Sequence, residues 1–300
     1  MNPQKQVLIL GFGEMGRAMQ ALLGARARVL VWQRRDADAA PTLARAAASS
    51  DVIVFCLPAR AHDELSRQIG GYVRPATICV SIAKGLDAAG RTAVEVFNAT
   101  LTHRCDFGFL YGPMIAEELQ RNRMGFADVS ASSAAARASL HGLFDDGALI
   151  LRDSDDAIGA SWCAVLKNVY AVLFGCVDEL ALGDNVRGLL AVTAIDELSR
   201  LLPQLGGDGA TARRFAGLGD LITTATSANS HHHALGRQIA RGTQAVLSGE
   251  AVNTVAVLQS YPRFALSALP LLHLAAACIL EPAATVKKLP TALMHIAHAR

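Results

Sequence analysis

Four apolar residues, Val7 to Leu10, run directly into Gly11-Phe12-Gly13-Glu14-Met15-Gly16. No other feature constrains the chain as strongly. In a strand that ends on GxGxxG and opens into a helix, each glycine has a mechanical task. Gly11 makes the tight turn, Gly13 lets the backbone approach a pyrophosphate, and Gly16 lets helix and strand pack closely. The helix N-terminus then offers unpaired N–H groups to the phosphates. The six residues Gly11, Phe12, Gly13, Glu14, Met15 and Gly16 are therefore candidate cofactor contacts. A glycine-rich turn with no ligand is the competing reading, and the strand, helix and second strand around the motif weigh against it.

The rest of the first half keeps the same rhythm. Strands are expected at Val7–Leu10, Val29–Trp32, Val52–Cys56, Ile78–Ser81, Phe107–Tyr111 and Leu149–Leu151, with helices such as Gly13–Leu23, Pro41–Ala48 and Ala59–Ile69 between them. Alternation of this kind predicts an α/β fold, a Rossmann-type doubly wound parallel sheet with helices on both faces. After Arg152 the pattern changes. Asp153 to Asp156 supply N-cap candidates, and helical segments follow at 156–180, 185–202, 210–226, 231–247, 250–259 and 264–280. The expected organisation is a dinucleotide-binding domain over 1–152 and an all-α substrate and catalytic domain over 153–300.

Composition closes off other classes. A net charge of +2 gives no field for nucleic-acid or membrane binding. The N-terminal apolar run is too short for a signal peptide. The stretch from Phe264 to Leu280, broken by Pro270 and His273, falls short of a bilayer span and reads as a buried helix, so no membrane insertion is expected. Six cysteines without a CxxC pair read as small buried hydrophobes in a reducing compartment, which points to the cytoplasm.

At the end of the second strand, Val31-Trp32-Gln33-Arg34-Arg35 offers no acid for a ribose 2′-hydroxyl before Asp36. Arg34 and Arg35 suit a 2′-phosphate, so NADP is accepted beside NAD. Of 28 lysines and arginines only five are lysine, so an interior-looking lysine asks for a chemical reason. Lys84 stands just past a strand end, in Ser81-Ile82-Ala83-Lys84-Gly85-Leu86, on the edge of the sheet where ligands bind. Lys167 lies inside an apolar helix, where an ammonium needs a partner, a cavity or a lowered pKa. Reduction of a small ketone needs a proton donor for the forming alkoxide, and a desolvated lysine can serve. For both lysines the plainer reading is a snorkelling surface side chain. Asp220 and Thr224, four apart in Gly217-Leu218-Gly219-Asp220-Leu221-Ile222-Thr223-Thr224, share one helical face. A carboxylate there could hold Lys167 charged and oriented. Ser230 is a candidate cap for a helix presenting its N-terminal amides to an anion.

At these residues the chain resembles the NAD(P)-dependent glycerol-3-phosphate dehydrogenase family, as a divergent member. The blocks are GFGEMG (11–16), SIAKGL (81–86), GPMIAEE (112–118), KNVYAVLFGCVDELALGDN (167–185), GLGDLITTATS (217–227) and GEAVNT (249–254). They follow family order and spacing over nearly the whole chain. The resemblance implies a Rossmann domain, a helical domain and chemistry in the cleft between them. It implies Lys167 as general acid/base supported by Lys84, Asp220 and Thr224, Asn168 beside the substrate, and Glu250 at the cofactor. The implied reaction is reversible reduction of dihydroxyacetone phosphate to glycerol 3-phosphate, which feeds phospholipid synthesis, in a homodimer.

Two positions depart from the family pattern. Where it usually has an Arg-Asn pair contacting substrate phosphate and cofactor, this chain has His231 and His232. Histidine is mostly neutral at pH 7 and offers one donor where arginine offers a fork. Phosphate affinity should fall unless Arg237 or the helix amides substitute. Met114 stands where a small polar residue is more usual. Neighbouring helical histidines point about 100° apart, so His231, His232 and His233 do not converge on a metal and none is expected. Two further readings stay open: a related two-domain NADP-dependent reductase of β-hydroxyacid or ketopantoate type, and a non-catalytic dinucleotide-binding sensor.

Overall fold

A computed structural model describes residues 4–35, 39–144, 147–242 and 247–298. Asp36 and the end of the segment expected at 231–247 lie outside the described residues. The chain divides into two compact units, Met1–Asp87 with Arg91–Ala157, and Ala88–Gly90 with Ile158–Arg300.

The first unit is built on β1 (Lys5–Leu10), α1 (Glu14–Leu23), β2 (Ala27–Trp32), α2 (Ala39–Ser49), β3 (Val52–Phe55), α3 (His62–Ile69) and β4 (Ile78–Ser81). It continues through α4 (Ala93–Thr100), β5 (Asp106–Tyr111), α5 (Ala116–Gln120), β6 (Gly125–Ala131), α6 (Ala134–Phe144) and β7 (Leu149–Asp153). Val7–Leu10 of β1, all of β3 and Ile78–Val80 of β4 are continuous apolar runs because both their faces are covered. The sheet order is β2-β1-β3-β4-β5-β6-β7. From β1 the chain steps outward to β2 and returns to the far side of β1 for β3. The crevice beyond the ends of β1 and β3 is thus the topological switch point where such sheets bind ligands.

Three features of this unit differ from the sequence reading. Strand β6 was not among the expected strands, and it pairs antiparallel with β5, from Gly108↔Ala131 to Tyr111↔Asp128, and parallel with β7. The sheet is therefore mostly rather than wholly parallel. Gly-Phe-Ala-Asp-Val-Ser-Ala carries little β propensity of its own, and neighbours on both sides supply the order. Strand β7 also runs to Asp153, past the division placed at Arg152. Helix α4, likewise not expected, did have a legible start: Thr92 Oγ1 accepts from Glu95 N, and Glu95 Oε2 accepts from Thr92 N at 2.8 Å, a capping box.

The second unit is helical: α7 (Ala157–Glu179), α8 (Asp184–Leu201), α9 (Asp220–Thr226), α10 (His231–Arg241), α11 (Glu250–Ser260), α12 (Pro270–Leu280) and α13 (Pro282–His298). Helix α7 is long and apolar enough to cross a membrane by length and composition, yet it is the buried axis of this unit. The segment expected as one helix over 210–226 is instead a 3-10 turn, Gly209–Arg213, a π-helical turn, Phe215–Gly219, and then α9. Helix α10 ends at Arg241 because Gly242, at φ 70°, takes the left-handed cap. Helix α13 was not anticipated, with Pro290 inside it.

Two contacts fix this unit. A Cβ added at Gly236 would lie 2.0 Å from Val172 O, and one at Gly175 2.0 Å from His233 O, so α7 and α10 cross backbone on backbone. Glu197 of α8 is wholly buried and accepts from Tyr170 Oη at 2.8 Å and from the Leu271 and Leu272 amides at 2.6 and 3.0 Å. It thereby caps α12, whose first residue is proline.

Candidate active site

The glycine loop has a shape that fits a dinucleotide. Gly11 sits at φ +89°, and a Cβ there would come 2.6 Å from Leu57 Cδ2 and 2.8 Å from Cys56 O. At Gly16 a Cβ would lie 2.2 Å from Gly11 O, so α1 touches the turn backbone to backbone. Around Gly13, by contrast, an added Cβ meets nothing within 4 Å. Gly13 is also the N-cap of α1, and no side chain caps the helix there. Two glycines thus shape the turn, and the third leaves open space over amides that a pyrophosphate can take. Phe12 and Met15 are half-buried, and Glu14 is exposed.

Arg34 and Arg35 follow β2 and are exposed. Arg34 Nη2 pairs with Glu64 Oε2 of α3 at 2.8 Å, with both side chains more than 60% exposed. A pair in that setting is worth about 0–1 kcal/mol, too little to keep Arg34 from a phosphate. Lys84 is half-buried and donates from Nζ to Gly112 O, 2.9 Å away, which ties the loop after β4 to the end of β5. His62 braces the same loop. It is wholly buried, Nε2 lies 2.9 Å from Ser81 Oγ, and Ser81 Oγ accepts from Ala83 N at 3.2 Å. Burial lowers the imidazole pKa to about 4, so it is neutral, with Nδ1 donating to Pro58 O. Sequence reasoning passed over His62, because a lone histidine at a helix start carries no signal. Met114 packs in the core of this unit, 5% exposed, beside Leu119 and Leu110.

In the second unit, Lys167 is 5% exposed, which excludes a snorkelling surface lysine. Its Nζ donates to Thr224 Oγ1 at 2.5 Å and stands 3.3 Å from Asp220 Oδ1. Asp220 and Thr224 are 2% and 8% exposed, on successive turns of α9. An ammonium buried to this degree is tolerable because a carboxylate and a hydroxyl meet it. A π-helical turn, Phe215–Gly219, leads directly into α9. Asn168, the next residue of α7, is 2% exposed.

His231 and His232 open α10, capped by Ser230 Oγ, which accepts from His233 N at 3.2 Å. His231 is exposed and His232 half-buried. The third histidine turns away from them: His233 Nε2 lies 2.7 Å from Asp178 Oδ2. Arg237, the alternative phosphate ligand, is held with Arg241 on Glu179 at 3.0 and 2.7 Å. Those two guanidiniums draw the Glu179 carboxyl down to about 2. Glu250 is the first residue of α11, half-buried. Among the described residues no three His, Cys, Asp or Glu side chains form a metal-binding group.

A dinucleotide-shaped glycine turn on one unit and a buried lysine–carboxylate–hydroxyl cluster on the other define a nicotinamide-dependent dehydrogenase with a Rossmann-type unit and a helical unit. Family models for the N-terminus and the C-terminus of NAD-dependent glycerol-3-phosphate dehydrogenase match residues 36–137 and 156–277. The chain is 32% identical over 262 residues to a glycerol-3-phosphate dehydrogenase [NAD(P)+] of Acaryochloris marina, covering 84% of this chain and 83% of that protein. A relative of the same description from Agrobacterium fabrum is 32% identical over 206 residues, 68% of this chain and 63% of that protein. The fold matches a crystal structure of glycerol-3-phosphate dehydrogenase from Coxiella burnetii with TM-score 0.82 at 23% identity, over 95% and 98% of the two chains. The chain belongs to the NAD-dependent glycerol-3-phosphate dehydrogenase family.

Proposed function

We propose that this protein catalyses the reversible reduction of dihydroxyacetone phosphate to glycerol 3-phosphate with NADPH or NADH. The observation that carries the proposal is the buried Lys167–Asp220–Thr224 cluster in a chain of this family. A non-catalytic sensor has no use for a proton donor placed at that cost.

A reduced nicotinamide cofactor, when bound, would supply the hydride for the substrate carbonyl. The open face at Gly13 and the first amides of α1 would receive the pyrophosphate and Arg34 and Arg35 a 2′-phosphate, and the family resemblance assigns Glu250 to the cofactor as well. In the second unit, Lys167 Nζ gives a proton to the oxygen of the forming alcohol, and in the reverse direction takes it back. Asp220 keeps the ammonium charged, and Thr224 fixes its direction. Asn168 orients the substrate, and Lys84 supports the reaction from the loop after β4. The first amides of α10, with His231 and His232, take the phosphate. We assign a homodimer on the family resemblance. The six free cysteines support a cytoplasmic location.

The test is oxidation of NADPH, and separately of NADH, followed by absorbance with dihydroxyacetone phosphate beside unphosphorylated dihydroxyacetone. Turnover confined to the phosphate ester supports the proposal. Equal turnover of both would move the substrate to a carbonyl compound without phosphate, and no turnover despite cofactor binding would return the sensor reading.

A further inference from the structure

The six cysteines are scattered in sequence, yet the fold gathers four of them into two pairs, all as free thiols. On β4, Cys79 meets Cys105, the residue before β5, with the sulfurs 3.7 Å apart. In the other unit, Cys176 of α7 hydrogen-bonds Cys278 of α12 and also donates to Gly236 O at 3.2 Å.

The two pairs differ in chemistry. Cys176 and Cys278 are both 0% exposed, and the hydrogen bond to Cys278 together with burial pushes the Cys176 thiol up. Burial keeps both sulfurs of that pair from an oxidant in solution. Cys105 is half-buried, with Cys79 wholly buried behind it. The hydrogen bond shared with Cys79 draws the Cys105 thiol below its ordinary value, against the opposing effects of burial and the Asp106 carboxylate. An accessible, acidified thiol backed by a second thiol is the arrangement of an attacking and a resolving cysteine.

We propose that Cys79 and Cys105 are a dithiol that hydroperoxides oxidise to a disulfide across β4 and β5. The Cys105 thiolate attacks one oxygen of the hydroperoxide and the O–O bond breaks. The other oxygen leaves as an alcohol, or as water from hydrogen peroxide, after taking a proton, and Cys105 becomes a sulfenic acid. Cys79 Sγ then attacks that sulfur, the S–O bond breaks, and water departs with the thiol proton. Two thiols give up two electrons and two protons, and the hydroperoxide is reduced. A disulfide bond is about 2.05 Å long, so the sulfurs must close by less than about 2 Å. Cys105 lies outside β5 in irregular backbone, two residues before Phe107, the register partner of Cys79, so the closure draws on local backbone as well as side-chain movement. The new bond would join the starts of two strands whose far ends carry Ser81 and Gly112.

The test is peptide mass spectrometry of the full chain without reductant, after titration with hydrogen peroxide. The expected result is a Cys79–Cys105 cross-linked peptide, loss of two of the six thiols, and full reversal by dithiothreitol. Cys176 and Cys278 should still alkylate after denaturation. In Cys79→Ser, peroxide should leave a Cys105 sulfenic acid that dimedone traps, and in Cys105→Ser no thiol should be lost at the same dose. Oxidation of Cys105 to sulfinic acid without a cross-link would overturn the proposal, as would equal loss of Cys176 and Cys278. The wild-type measurement needs no variant to fold.

Discussion

His62 packs against Phe55 and Phe97, with ring centroids 5.0 and 5.7 Å away, and no part of it reaches solvent. Its pKa falls from 6.5 to about 4 on folding, chiefly because burial disfavours the imidazolium. As pH drops, the unfolded chain takes up this proton first. The contribution to stability is therefore complete above pH 6.5 and is lost between 6.5 and about 4. Each pH step of one between those two values removes about 1.36 kcal/mol, so the full loss is about 3 kcal/mol, of which about 2 kcal/mol has gone by about pH 5. The perturbation is His62→Gln, which keeps one donor for Pro58 O and one acceptor for Ser81 Oγ but does not titrate. Urea unfolding of both proteins at about pH 7.5 and about pH 5 is the assay. Wild type should lose about 2 kcal/mol more than the variant across that interval. Two parallel pH profiles would refute the reasoning, since they would mean that His62 is already solvated or already charged.

Other substitutions probe the site directly. Lys167→Ala should lower kcat roughly 10²–10⁴-fold with NADPH affinity nearly unchanged, measured by steady-state kinetics and fluorescence titration; parallel loss of cofactor binding would remove Lys167 from the proton-donor role. His231→Arg should lower KM for dihydroxyacetone phosphate by restoring a forked donor at the start of α10, and an unchanged KM would place the phosphate elsewhere. Gly16→Ala drives a methyl group against Gly11 O, 2.2 Å from the ideal Cβ, and should cost about 1–3 kcal/mol in unfolding free energy and weaken NADPH binding. Glu197→Gln replaces one acceptor oxygen of a carboxylate that caps α12 with a donor. Denaturant unfolding should show it about 1–3 kcal/mol less stable.

Much of this protein was legible one segment at a time. The GxGxxG turn, the apolar runs of β1, β3 and β4 and the helical character after Arg152 follow from local periodicity and from where glycine is required, and those are properties of short stretches of chain. Lys167 was conspicuous because an ammonium in an apolar helix is expensive wherever that helix goes. What the sequence left open depends on partners far along the chain. Strand β6 has no pattern of its own and exists because β5 and β7 flank it. The partners of Lys167 stand on α9, with Thr224 57 residues away. That Arg237 shares Glu179 with Arg241 could not be read from the sequence, and His62 and the Cys79–Cys105 pair had no sequence signature at all. Short-range periodicity records which face of an element is buried. Which side chains then meet across the core is decided by packing, where charge, hydrogen bonding and volume must all be satisfied together.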